Sequence, residues 1–328
     1  MRAWWIIVGC LISSAYAEDR PAVDAATELH AAIDILKTHH MNRDKPDWPT
    51  VTAKSEAMIA GAKTAMDAYP AINFVIKALG EKHTFLMTAS YVSAIKGGQT
   101  SDASTAASLT ANTQMPEGLR LTGSVGYLRL PTHLGPPASD KAYVDALRSQ
   151  LARFNVAGMC RFVVDLRENQ GGNMWPMLGG LSSLLGTPPY GSFVNAEGAR
   201  TAWDMRPIWM NLSDVGVVAV PAKLGAKQAR MPVAILLGPM TDSSGEFTAM
   251  AFEGRPRTKF FGQPTAGYLT SNASFDLPDG ARLAVSEGWA ADRTGRDYRE
   301  TIVPDVVTAG GQPTVDAALA WLQTQSCH

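Results

Sequence analysis

The segment GPMTDSSGEFTAMAFEG, residues 238 to 254, places Ser243 and Ser244 between an apolar run and an amphipathic stretch. A serine at a strand-to-helix junction is well placed to be a nucleophile, because helix-end N–H groups stabilise the negative charge that develops on attack. The same residues also read as a capping box, with Glu246 three residues after Ser243 and each side chain satisfying a free N–H of the first turn. A second loop, DLRENQGGNMWPM at 165 to 177, carries Asn169, Gln170, Gly171 and Gly172 ahead of Met174, Leu178, Leu181 and Leu185 at helical spacing. A glycine pair between a strand and a helix lets the backbone approach a ligand and aims N–H groups at an anion or oxyanion. A tight turn that needs glycine only for its geometry is the alternative.

A serine hydroxyl is inert without a base to take its proton. The chain has six histidines. His30, His39 and His40 lie in or just after a helical pattern and read as solvated surface, and His328 is the last residue. His133 follows a strand in LPTHLGPP, and His83 sits in LGEKHTFLM after a glycine break, where an N-terminal unit could reach over the remainder. Both stay candidates on the residues alone. No group of cysteines and histidines has metal-ligand spacing, so neither a metal nor another cofactor is expected.

The elements that must position these loops follow from periodicity. Helical patterns cover AATELHAAIDILKTHH and a second stretch from Ser55 to Gly80, whose glycine is a stop signal. Residues 97 to 117 are small, polar and nearly uncharged, a linker composition. Beyond it SVGYLRLP, CRFVVDLR and MPVAILLG are short β-rich runs, the last two apolar enough for buried parallel strands. DKAYVDALRSQLARF lies between the first two with Tyr143, Leu147, Leu151 and Phe154 on one helical face, which makes a right-handed crossover unit. ASFDLPDGARLAVSEG is a hairpin around Pro278, Asp279 and Gly280. The expected fold class is therefore α/β, with a small helical domain at 18–96, a linker at 97–117 and a core at 118–328.

The 328 residues, 46% hydrophobic with a formal net charge of −1, suffice for a sizeable core and exclude compositional disorder. No dense basic run marks a nucleic-acid surface. Residues 1–17 resemble a signal peptide, with one arginine, an apolar segment from Ala3 to Ile12 and Ala15-Tyr16-Ala17 at a cleavage site. The apolar segment falls short of the ~20 residues of a membrane span. A periplasmic or secreted protein is expected, a lipid anchor at Cys10 being the alternative. Cys160 and Cys327 then remain as a disulfide pair or as separate thiols.

In order and spacing, GYLRLP, VVDLRENQGG, TDSSGE, FGQPTAGY, LPDGARLAV and IVPDVV resemble the S41 peptidases, which include the tail-specific or C-terminal processing proteases. The resemblance covers nearly all of 118 to 310. It implies a crotonase/ClpP-like α/β core, a helical N-terminus acting as a cap, and Ser243, not Ser244, as nucleophile. It also implies an oxyanion hole from the backbone N–H groups of Ser244 and Gly171, with Gly172 the second choice. Supporting roles are expected for Asn169 and for Glu246, which orients the nucleophile loop or caps its helix. Where the tail-specific proteases carry a catalytic lysine, this chain has Tyr268 in PTAGYLT. A phenol is too weak a base to replace a desolvated amine. The nisin-resistance branch uses a histidine in a Gly-x-x-His-Ser/Thr setting, and GEKHTF is similar, which selects His83. About 34 residues separate His83 from Gly118, roughly half of what a PDZ domain needs.

These readings make the chain an exported serine peptidase that acts on a peptide or protein, its oligomeric state left open. Asp242, Glu300 and Asp305 are candidates for an acidic third member. Trp175 and the Met residues of NMWPM, with Trp203, Met205, Trp209 and Met210, are candidates for the substrate groove or for core packing. The alternatives are a non-catalytic binding protein on the same scaffold and an esterase or acyl transferase.

Overall fold

A computed structural model describes residues 23–96, 103, 105–106, 114–204 and 227–327. The N-terminal part contains α1 (Ala25–His39), α2 (Trp48–Met58), a 3-10 turn (Ala65–Ala68), α3 (Tyr69–Ala78), β1 (Phe85–Met87) and α4 (Ala89–Ile95). The middle contains β2 (Glu117–Leu121), β3 (Val125–Arg129), α5 (Pro137–Val156), β4 (Arg161–Asp165), α6 (Met174–Leu185), β5 (Gly191–Asn195) and β6 (Arg200–Ala202). The remainder contains β7 (Val233–Leu237), α7 (Ser244–Met250), β8 (Thr258–Gly262), β9 (Thr270–Asp276), β10 (Arg282–Asp292), β11 (Asp297–Tyr298), β12 (Val306–Val307) and α8 (Gly311–Gln323).

Among the described residues the strands form two sheets. One runs β12-β8-β7-β4-β3-β2, parallel except for the β2–β3 pair. The apolar runs of β4 and β7 occupy its centre, covered on both faces, as continuous hydrophobic strands require. One face packs against α5, α6 and α7 through residues such as Leu147, Leu181 and Met250, and the other against α8 through Ala318 and Leu322. Each large aliphatic side chain buried this way contributes roughly 1.5–3 kcal/mol relative to exposure. The strand-helix-strand crossover β3-α5-β4 and the hairpin β9-β10 form as the sequence predicts.

The second sheet is antiparallel and centred on the long strand β10, which pairs with β9, β1, β5 and β11. The N-terminal helices pack on it: Leu29, Ile33, Leu36, Ile72 and Val75 share one cluster with Leu277, Leu283 and Val285. Helices and hairpin thus bury their apolar faces on each other, and β1 adds a main-chain connection at Phe85↔Ala284.

Two local expectations are corrected. The stretch from Ser55 to Gly80 is two helices, because Gly61 takes a left-handed φ of +84° and Pro70 starts α3 afresh after the 3-10 turn. His40 is fully buried, not solvated, with Nε2 3.2 Å from Glu81 Oε1. Residues 1–22, including the expected leader and Cys10, lie outside the described residues, as do most of 97–113 and the segment 205–226 with Met205, Trp209 and Met210. No helix among the described residues is long and apolar enough to cross a membrane.

Candidate active site

Both glycine and serine loops leave the C-terminal ends of adjacent strands, β4 and β7, so parallel pairing alone brings them side by side. They are joined by the Asp242 N–H donating to the Asn169 carbonyl at 2.9 Å. Ser243 sits at the turn into α7 with φ +50° and ψ −115°. A non-glycine residue held at positive φ costs about 1–3 kcal/mol and persists only where its surroundings enforce it.

Glu246 supplies that enforcement. Its fully buried carboxylate accepts the Ser243 N–H at 3.0 Å, the Tyr268 N–H at 2.7 Å, the Gly267 N–H at 2.8 Å and the Thr265 hydroxyl at 2.5 Å. The first of these is one half of the predicted capping box; the rest tie the loop 265–268 to the nucleophile turn. Burial raises the Glu246 carboxyl, and its four donors oppose that rise.

His83 Nε2 lies 2.9 Å from Ser243 Oγ, and Nδ1 lies 2.8 Å from Thr270 Oγ1. The ring is buried, with its edge against Tyr268 at 5.3 Å between centroids. Burial pulls the imidazole down to about 4, with the Glu81 charge opposing and Lys82 assisting. Glu81 fixes the main chain here: its oxygens accept the N–H groups of His83 at 2.6 Å and Thr84 at 2.7 Å. Burial disfavours the Glu81 carboxylate, but hydrogen bonds from His40, Thr84 and His83 outweigh it and lower the group to about 2. Lys82 places Nζ 4.1 Å from the Tyr268 ring centroid and bonds the Ala266 carbonyl at 2.8 Å.

The glycine loop has a defined division of labour. The Gly171 N–H donates to Asn169 Oδ1 at 2.9 Å, while Asn169 Nδ2 donates to the carbonyls of Leu130 and Pro131 at 3.1 and 3.2 Å. Among the described residues neither the Gly172 N–H nor the Ser244 N–H has an acceptor, and both residues line the groove that holds Ser243. Gly172 has φ +103°, and a Cβ on it would lie 2.1 Å from the His133 carbonyl oxygen, so only glycine fits. The geometry therefore moves the second free N–H from Gly171, expected from the resemblance, to Gly172.

His133 is brought to the glycine loop and not to Ser243: it is buried, with Nε2 2.8 Å from Asp140 Oδ1, and its main chain bridges to Gly172. His30 and His39 lie at Glu56 and Glu287 on the surface. The partner of His83 Nδ1 is not one of the expected carboxylates. Glu300 is exposed, and Asp305 accepts the Phe260 N–H at 2.8 Å. Asp242 lines the groove, where burial and then the Glu246 charge push it up to about 6. Thr270 fills the place. No carboxylate search along the sequence could have found it: Thr270 is the first residue of β9, and only the folded chain brings it to the His83 ring.

A groove of about 810 Å³ runs past Ser243, lined on the apolar side by Phe85, Met87, Tyr91, Trp175 and Phe193. Of the two readings left open for Trp203, groove or core, the structure gives the core: it is fully buried against Phe193 and Phe247, with main-chain bonds to Tyr190 and Gly191. Cys160 and Cys327 form a disulfide with Cα atoms 5.3 Å apart. No cluster of metal ligands occurs among the described residues.

Known proteins resemble this chain in sequence and fold. The family profile "Peptidase family S41" matches residues 124–308. The nisin-resistance protein of Lactococcus lactis subsp. lactis is 28% identical over 285 residues, which are 86% of this chain and 82% of that one. A carboxyl-terminal-processing protease of Picosynechococcus is 27% identical over 162 residues, 49% of this chain and 33% of that protein. The solved structure of a lipoprotein from Streptococcus agalactiae superposes with a TM-score of 0.76 at 25% identity, covering 92% of this chain and 97% of that one. The photosystem II D1 C-terminal processing protease shares the fold at a TM-score of 0.58 and 14% identity, over 91% and 97% of the two chains. With a profile that begins at β3 and runs past β12, so that it contains both loops of the site, this chain belongs to peptidase family S41 and is a serine peptidase.

Proposed function

We propose that the chain is an exported endopeptidase in which Ser243 is the nucleophile and His83 its general base. The observation that carries this reading is the 2.9 Å separation of His83 Nε2 from Ser243 Oγ at a strained turn into a helix. Neutral His83 takes the hydroxyl proton as Ser243 attacks the scissile carbonyl. The N–H groups of Ser244 and Gly172 receive the oxyanion, and protonated His83 then delivers its proton to the leaving amine. Asn169 holds the glycine loop in the orientation that keeps the Gly172 N–H free.

The region 18–96 acts in this reading as a cap on the core 118–328, joined by the segment 97–117, since His83 comes from the first and Ser243 from the second. The apolar wall of Phe85, Met87, Tyr91 and Trp175 suits a peptide with apolar side chains. Cleavage near a peptide's C-terminus is supported by similarity to the carboxyl-terminal-processing protease. Export is supported by the disulfide, which persists in oxidising compartments, and by the leader-like residues 1–17.

The test is labelling by a fluorophosphonate probe together with cleavage of a peptide panel. The purified protein should be labelled at Ser243, and Ser243→Ala and His83→Ala should each lose peptide cleavage while keeping the wild-type thermal transition. Undiminished cleavage by Ser243→Ala removes the assignment. Labelling with hydrolysis of esters but of no peptide favours the esterase reading.

A further inference from the structure

His83 faces no carboxylate through Nδ1, yet a base must present a bare Nε2 to the serine, and a neutral imidazole has two tautomers to choose from. The hydrogen bonds beneath the ring make that choice. Asn272 Nδ2 lies 2.7 Å from the main-chain carbonyl oxygen of His83, and Asn272 Oδ1 lies 3.0 Å from Ser286 Oγ. Ser286 Oγ lies 3.0 Å from Thr270 Oγ1, which lies 2.8 Å from His83 Nδ1.

Each step has one solution. A carbonyl oxygen only accepts, so the Asn272 amide must turn its NH2 to His83 and its oxygen to Ser286. That oxygen also only accepts, so Ser286 spends its single proton on it. Thr270 must then donate to Ser286, and having no second proton it can only accept from His83. Nδ1 therefore carries the proton, and Nε2 is left as the lone pair facing Ser243. The loop closes on itself, because the amide that starts it also holds the main chain of the histidine it orients.

The fold places these groups together for a simple reason. Thr270 and Asn272 are two apart on β9 and share one face of the sheet, and Ser286 is opposite Asn272 on β10. The register shifts between Ser286 and Gly288, a bulge beside the site. The main chain of Ser286 is held as well: its N–H donates to Thr84 Oγ1 at 3.0 Å, and its carbonyl accepts the Met41 N–H at 2.8 Å.

We infer that Thr270, Ser286 and Asn272 form a neutral relay that fixes the tautomer and orientation of His83, the work a carboxylate does in a three-membered serine peptidase site. They are positioning residues that touch the base and not the substrate. The inference rests on the Ser243 and His83 reading.

Histidine-selective 15N NMR of the resting protein, with the His83 signals assigned by difference from His83→Ala, reads the tautomer directly. The expected result is a protonated Nδ1 and a bare Nε2 at neutral pH. Thr270→Val, which removes the acceptor for Nδ1, and Asn272→Ala, which frees the Ser286 proton to reverse the chain, should each populate the other tautomer. Each should lower kcat about 10- to 100-fold with KM changed less than about threefold, a fraction of the ~10⁴-fold loss seen when a triad carboxylate is replaced by an amide. Thr270→Ser should restore both the NMR pattern and kcat. A protonated Nε2 in the resting protein overturns the relay, as does wild-type kcat in both variants. The NMR result on the unmutated protein decides even if a variant fails to fold. Failure of the underlying reading looks different: Ser243→Ala or His83→Ala would then still cleave.

Discussion

His83 Nε2 and Ser243 Oγ stand 2.9 Å apart across 160 residues of chain, and burial holds the imidazole down to about 4. The unfolded chain takes up a proton on this side chain near 6.5, whereas the folded chain does so only near 4. Between these values the unfolded state binds more protons, so stability falls as pH falls through the window, by an amount on the order of a few kcal/mol for this group. The base form persists above about 4, so the acid limb of kcat/KM in the free enzyme should lie well below 6.5. A pH series of kcat/KM and of urea midpoints checks both; an acid limb at 6.5 in the wild type contradicts the assigned burial of the base.

Glu246 is the single acceptor for four donors, the N–H groups of Ser243, Gly267 and Tyr268 and the hydroxyl of Thr265. Glu246→Ala strands them in the interior and should cost on the order of 3–5 kcal/mol. Glu246→Gln should not rescue it, since the amide NH2 would meet a donor. Urea denaturation of the two variants provides the measurement, and wild-type stability in Glu246→Gln would show that the clamp does not need two accepting oxygens.

Asn169 engages the Gly171 N–H and two carbonyls from the end of β3. Asn169→Ala should release the glycine loop and lower kcat by about 10²- to 10³-fold, the size of effect seen when one oxyanion donor is lost. KM should change far less, because the apolar wall of Phe85, Met87, Tyr91 and Phe193 is built from other elements. Steady-state kinetics on one peptide separates the two parameters, and an effect confined to KM would assign Asn169 to substrate binding instead.

The Cys160–Cys327 disulfide closes a separation of 167 residues. Cys160 precedes the start of β4 while the glycine loop follows its end, so the bridge sits at the opposite end of that strand from the site. Cys327→Ala should lower unfolding free energy by roughly 2–5 kcal/mol and leave kcat at 25 °C within twofold. Thermal unfolding with and without reductant, alongside a cleavage assay, tests the pair of statements together.

Glu28 on α1 is fully buried against the turn of the β9–β10 hairpin, where it accepts the Asp279 N–H at 3.2 Å, and Tyr69 donates to Asp279 at 2.5 Å. Burial, reinforced by Asp279, pushes the Glu28 carboxyl up to about 8. The folded state then binds the extra proton between 4.5 and about 8, so this group makes stability fall as pH rises through that range. Glu28→Gln keeps a donor toward Asp279 at every pH and should flatten this dependence, with its largest stabilisation above pH 8. Melting curves from pH 5 to 9 for both proteins give the answer, and parallel curves would mean that Glu28 is not the titrating group.

By itself the sequence determined what depends on neighbours in the chain. The apolar runs of β4 and β7, the helical face from Tyr143 to Phe154, the Pro278-Asp279-Gly280 hairpin and the Ser243 to Glu246 cap were all legible, because periodicity and turn chemistry are local. The S41 resemblance was legible for the same reason, being carried by short ordered motifs. Local pattern also misled. It joined two helices across Gly61, and it put His40 in solvent because a histidine at a helix end shows nothing of the Glu81 carboxylate it meets in the interior.

Only the tertiary structure decided which groups meet. Residues alone left His83 and His133 both open; the packing of the N-terminal helices on β9 and β10 brings the His83 ring to Ser243, while the first turn of α5 takes the His133 ring to Asp140. The partner of His83 Nδ1 is a threonine whose identity depends on strand register, since a slip of one residue would turn Thr270, Asn272 and Ser286 to the other face. The free N–H of Gly172 instead of Gly171 depends on where Asn169 spends its oxygen. Such choices are made by strand order, register and hydrogen-bond direction across the fold, and no window along the chain contains them.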